Sequence, residues 1–132
     1  MGLRISRALQ AQLLAEAVAT PEREVCGLLF GSNPDSVTMI RSCENIAANP
    51  VDSFEIDPAS LIAAHKAARA GGPSLIGCYH SHPNGVPKPS PRDVESGWGM
   101  NSLWLIVAGN QLTAWRSTGA GMLERVEIDA TD

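Results

Sequence analysis

The sequence predicts an α/β fold in which a mixed β-sheet carries flanking helices, with residues 1–132 forming one domain. Two observations carry that expectation. Short apolar runs of strand length, such as "EVCGLLFG" and "SLWLIVAG", alternate with longer amphipathic stretches. A chain of 132 residues with 44% hydrophobic and 18% charged residues is ordinary for one globular core without disulfides or metal as its main support.

The elements follow in order. Met1-Gly2-Leu3-Arg4-Ile5-Ser6 matches an N-myristoylation pattern, but the same residues read as a strand leading into a helix capped by Ser6. "RALQAQLLAEAVAT" sets Leu9, Leu13 and Ala17 four apart with Leu14 and Val18 alongside, an amphipathic helix that stops before Pro21. "EVCGLLFG" is a buried strand ending at Gly31, and "SVTMIRSCEN" is its neighbour across the Asn33-Pro34-Asp35 turn. A second helix is punctuated by Asp57 as cap, Pro58 in first position and Gly71-Gly72-Pro73 at its end. "SLIGCYHSH" is a strand, a proline-rich loop follows it, and a further helix starts near Pro91. "SLWLIVAG", "QLTAWRS" after the Gly109-Asn110 turn, and "MLERVEID" complete a single sheet in two or three layers. Trp98, Trp104 and Trp115 read as packing residues, and His65 as a surface or packing residue of the second helix.

Several function classes drop out. A net charge of -4 gives no basic footprint for nucleic acid. No apolar run approaches the roughly 18 residues of a membrane span, and the N-terminus lacks a secretory signal, so a cytoplasmic protein is expected. Cys26, Cys43 and Cys78 are odd in number and widely spaced, which suggests neither a disulfide framework nor a thiolate zinc site, and they read as small apolar filler.

The chemistry concentrates in "GCYHSHPNGVPKPSPRDVES". In a strand His80 and His82 project to one face and Ser81 to the other, so two imidazoles face one ion. Asp93 is the candidate third ligand, brought back by a loop that prolines 83, 87, 89 and 91 stiffen. Ser90-x-x-Asp93 with Pro91 between is equally a helix N-terminus, and the two readings are compatible, since a capped helix start is a rigid support for a carboxylate. Two histidines, one carboxylate and an open fourth position are the makeup of a catalytic zinc site, although the same ligand types also take iron, nickel or cobalt. Amide hydrolysis needs a proton-transfer group as well. Glu24, at the start of a buried run, is the acidic residue most in need of a partner.

His80-Ser81-His82, seven residues, Ser90, two residues and Asp93, with Glu24 upstream, resembles the JAMM motif of the MPN-plus metallopeptidases, in their short prokaryotic form. The resemblance implies an MPN-like domain with cytidine-deaminase-like layering. It implies one Zn2+ on His80, His82 and Asp93 with a bound water, Glu24 as general base and acid, and Ser90 as oxyanion stabiliser, a role that stands beside its capping role. It implies an isopeptidase acting after the C-terminal Gly-Gly of a ubiquitin-like or sulfur-carrier protein, with a homodimer left open. A non-catalytic scaffold of the same fold is the alternative. A zinc deaminase is disfavoured, because no Pro-Cys-x-x-Cys segment is present. The motif His-Glu-x-x-His of common metalloproteases is also absent.

Overall fold

The computed structural model describes residues 2–95, 102–119 and 122–131; Trp98 therefore lies outside the described residues. β1 (Leu3–Ser6) runs directly into α1 (Arg7–Ala19). The Ser6 hydroxyl accepts the Leu9 N–H at 3.1 Å, so the expected cap is in place. β2 (Cys26–Gly31), β3 (Ser36–Val37) and β4 (Met39–Cys43) follow. α2 (Pro58–Arg69) starts where Asp57 accepts the Ala59 N–H at 3.2 Å. β5 (Ser74–Ser81) and β6 (Leu103–Ala108) flank the short α3 (Pro91–Glu95). β7 (Gln111–Gly119), β8 (Met122–Val126) and β9 (Ile128–Thr131) end the chain.

Six strands in the order β4-β2-β5-β6-β7-β8 form the main sheet, in which β5 and β6 pair parallel and the other neighbours antiparallel. β3-β1-β9 form a second, parallel sheet. The single sheet expected from sequence is thus two, because two segments each divide between them. Thr38 breaks the first: its N–H turns to the Phe30 carbonyl at 2.8 Å, leaving β3 to pair with β1 and β4 with β2. Glu127 breaks the second, its carbonyl accepting the Leu3 N–H at 2.8 Å. Alternating apolar and polar residues mark a strand, but the pattern is the same whichever neighbour the strand pairs with.

Strand alternation sends successive residues to opposite faces of the main sheet. One face buries Leu29, Tyr79, Leu103, Leu105 and Val107 with Leu13 of α1 and with Leu3 and Ile5 of the small sheet. The other buries Cys26, Leu28, Phe30, Cys78 and Trp104 with Ala64 of α2 and Ile56. Covering both faces is why β2 and β6 read as continuous apolar runs. Each fully buried leucine contributes about 1.5–3 kcal/mol. His65 is exposed, and the three cysteines are unbridged, Cys26 and Cys78 buried and Cys43 half-buried. Burial pushes the Cys26 thiol up to about 12, so it behaves as the apolar filler expected. Among the described residues no helix is long and apolar enough to cross a membrane.

Tyr79 locks α1 to the sheet by donating its O–H to Glu16 at 2.7 Å; burial, then that carboxylate, hold the phenol well above its ordinary range. The Tyr79 ring passes over Gly27, where a Cβ would collide with both the ring and the Arg41 carbonyl. Gly27→Ala is therefore expected to destabilise the protein by about 3 kcal/mol, read as a lowered urea midpoint. An unchanged midpoint would show that the ring and strand shift without penalty.

Candidate metal centre

His80 is the penultimate residue of β5 and His82 follows its end. Their side chains share a face as the pleat requires, and their Nε2 atoms lie 3.0 Å apart. His80 is fully buried and His82 is 5% exposed. Asp93, in the first turn of α3, reaches both: Oδ1 lies 3.1 Å from His80 Nε2 and Oδ2 lies 3.0 Å from His82 Nε2. Ser90 and Asp93 cap each other, the Ser90 hydroxyl accepting the Asp93 N–H at 3.2 Å and Asp93 Oδ2 accepting the Ser90 N–H at 2.8 Å. The expected cap is formed, and the capped helix start is what presents the Asp93 carboxylate to the two imidazoles.

Glu24 arrives through strand register. β2 pairs antiparallel with β5 with Cys26 opposite His80, and continuing that register by two residues sets Glu24 opposite His82. Ser81, between the histidines and pointing to the other face, closes the extension: its hydroxyl accepts the Val25 N–H at 2.8 Å and its N–H donates to the Val25 carbonyl at 3.0 Å. Glu24 is 4% exposed. Ligand-type atoms of Glu24, His80 and His82 lie within 4.8 Å of one another. Glu24, His82 and Ser90 line a cleft of about 760 Å³, with Val51 and Asp52 from the loop before α2 and residues of the proline loop.

The donor set fits a divalent cation. A carbonyl only accepts, so the 2.8 Å contact between His82 Nδ1 and the Val86 carbonyl requires the proton on Nδ1, and neutral His82 then turns a lone pair from Nε2 toward Asp93 and His80. Ligands of a tetrahedral zinc at about 2.0–2.1 Å stand roughly 3.3 Å from one another, close to the 3.0–3.1 Å separations found here. His80 is braced differently. Its ring stacks on Phe54 at 4.4 Å and meets Trp104 edge-on at 5.6 Å, while Nδ1 has no hydrogen-bond partner among the described residues.

Electrostatics follow the same plan. Burial pushes the Asp93 carboxyl up, but its close approach to His80 and His82 and the hydrogen bond from the Ser90 N–H outweigh it and hold the group well below the usual carboxylate range. Burial lowers His80 against the opposing pull of Asp93. Burial also acts to lower His82, yet its bonds to Asp93 and the Val86 carbonyl win, and its pKa is raised.

A family model described as prokaryotic homologs of the JAB domain matches residues 6–118. The chain belongs to this family. The JAB assignment agrees with the JAMM resemblance of the motif and makes the protein a hydrolase of the metallopeptidase class, with the MPN-type α/β fold. The chain is 35% identical to a desampylase of Haloferax volcanii over 105 residues, 78% of this chain and 76% of that one. It is 34% identical over 97 residues to a probable TtuB-protein conjugate cleaving protease of Thermus thermophilus, covering 73% of this chain and 64% of the relative. The solution structure of a Desulfitobacterium hafniense protein superposes with a TM-score of 0.80 at 26% identity, covering 98% of this chain and 93% of that one.

The JAB site also uses residues that sequence reasoning left without chemistry. Asn45 is a hub: its Nδ2 donates to the Glu24 carbonyl at 2.9 Å and to the Ser53 carbonyl at 3.0 Å, while Oδ1 accepts the Ala47 and Glu55 N–H groups at 3.0 and 3.1 Å. The Glu24 N–H donates to the Pro50 carbonyl at 2.7 Å, so the loop before α2 grips Glu24 on both sides. An Asn in a loop carries no sequence signal of what it tethers. Asn45→Ala is expected to cost about 1–2 kcal/mol in chemical denaturation and to lower hydrolysis at least tenfold by freeing Glu24. Unchanged values of both would show that Glu24 is held by other means.

Proposed function

We propose that the protein is a zinc isopeptidase that hydrolyses the amide bond after the C-terminal Gly-Gly of a ubiquitin-like or sulfur-carrier protein in the cytoplasm. The observation that carries this reading is the convergence of His80 Nε2, His82 Nε2 and the Asp93 carboxylate beside a second buried carboxylate, Glu24, at the edge of an open cleft. His80, His82 and Asp93 hold the ion. Bound there, zinc supplies Lewis acidity, polarising the scissile carbonyl and acidifying water.

Glu24 moves the proton. Its carboxylate takes one from the attacking water as the new C–O bond forms and delivers it to the nitrogen as the C–N bond breaks. Ser90 serves the developing oxyanion. A serine hydroxyl has two acceptor lone pairs and one donor, and capping Asp93 uses an acceptor, which leaves the O–H for the cleft. Asp93 accepts the Ser90 N–H at 2.8 Å, a bond that favours its charged form.

The cleft lining supports an extended chain: Val51, Val86, Pro83, Pro89 and Pro91 give it apolar walls, and two glycines bring no side chains to crowd Glu24 and Ser90. The names of the relatives, a desampylase and a conjugate-cleaving protease, support a protein modified by another protein as the substrate class. Three unbridged cysteines suit a reducing compartment.

Metal analysis and mass spectrometry after incubation with a ubiquitin-like carrier extended past Gly-Gly test the reading together. Glu24→Gln is expected to keep one zinc per chain and to lose about 10²–10⁴-fold in rate, while His80→Ala and Asp93→Ala lose both metal and rate. Wild-type turnover by zinc-loaded Glu24→Gln would remove Glu24 from the chemistry. A wild type that takes up no zinc would leave the non-catalytic scaffold.

A further inference from the structure

The loop between His82 and Asp93 is pinned at two consecutive carbonyls. The Val86 carbonyl accepts from His82 Nδ1 at 2.8 Å. The next one, of Pro87, accepts from the hydroxyl of Thr113 at 3.0 Å. Thr113 lies on β7, on the far side of β6 from the histidines, and is 3% exposed. Its oxygen also accepts the indole N–H of Trp115, two residues along the same strand face, at 2.9 Å. The indole packs with the core under α2 and carries the Arg125 guanidinium over its ring at 5.5 Å.

These contacts fix a direction. Thr113 has one hydroxyl proton, and because Trp115 Nε1–H only donates, that proton is left to point at Pro87. The peptide planes carrying the Val86 and Pro87 carbonyls meet at the Pro87 Cα, and the pyrrolidine ring fixes φ there at about −65°. Only ψ of Pro87 then separates the group Thr113 holds from the group His82 holds. Holding the second carbonyl restrains the first, and the first decides which nitrogen of His82 carries the proton and where Nε2 points.

We propose that Thr113, oriented by Trp115, is a positioning residue for His82. It sets the tautomer and ring angle of a ligand it does not touch, and it holds the proline wall of the cleft in place. The inference rests on reading His80, His82 and Asp93 as metal ligands. Loss of the hydroxyl frees the Val86–Pro87 segment, weakens the His82 Nδ1 bond and loosens the grip on the ion. Removing a partner of a ligand typically costs 10–100-fold in metal affinity, so a group one bond further out is expected at about tenfold.

The test is the rate at which the zinc-loaded protein gives up its metal to a chromogenic chelator. Thr113→Val, which keeps the shape and removes the hydroxyl, is expected to release zinc about tenfold faster than wild type. Thr113→Ser restores the hydroxyl and should return the rate to within about twofold of wild type, a rescue that loss of packing alone would not give. Trp115→Phe keeps a ring but not the N–H and should speed release about threefold. Wild-type release from Thr113→Val overturns the proposal, as does release from Thr113→Ser as fast as from Thr113→Val. Should Thr113→Val fail to fold, Trp115→Phe decides, and an unchanged rate there overturns it. A wild type without stoichiometric zinc sinks the ligand assignment itself and this inference with it, whereas zinc-loaded wild type with unresponsive variants sinks this inference alone.

Discussion

Three electron-rich atoms meeting in a place almost without water set the terms for everything else in this molecule. An ionised carboxylate 5% exposed is tolerated only against positive charge or strong donors, because desolvating an unpaired charge costs several kcal/mol. The Ser90 N–H and the two imidazoles beside Asp93 answer that demand in part, and Asp93 is shifted down while His82 is shifted up. A divalent cation meets it in full. The same low dielectric that makes the cluster costly without a cation strengthens its attraction for a bound one.

The fold supplies the bracing by several unrelated devices. His82 is oriented by a backbone carbonyl, His80 by an aromatic stack, and Asp93 by the reciprocal cap with Ser90. Glu24 depends on antiparallel register, extended two residues past the end of β2 by Ser81 and fastened by Asn45 and Pro50. Each device belongs to a different part of the chain, so the site exists only when β2, β5, α3 and the loop before α2 are all in place. Buried geometry of that kind is held by the packed core on both faces of the main sheet, to which Tyr79, lying over Gly27 and bonded to Glu16, ties α1.

Much of this was legible in the residues. His80 and His82 one apart on a strand, a stiffened loop and the Ser90–Asp93 cap are local features, and local features read directly from sequence. α1, α2 and the central strands announced themselves through periodicity, Ser6 and Asp57. The division of 36–43 and 122–131 between two sheets was hidden, because alternation says that a segment is a strand and nothing about which strand it joins. Asn45, Phe54 and Thr113 were hidden for a related reason. Their partners, Glu24, His80 and Pro87, are far away in sequence, and no composition or spacing encodes a contact that exists only after the sheet has assembled.

The account is tested most directly by anomalous diffraction at the zinc absorption edge from crystals of the zinc-loaded protein. It predicts one strong peak about 2.0–2.2 Å from His80 Nε2, His82 Nε2 and an Asp93 carboxylate oxygen. A peak elsewhere, or a fully folded protein with no ordered metal at those atoms, would contradict it.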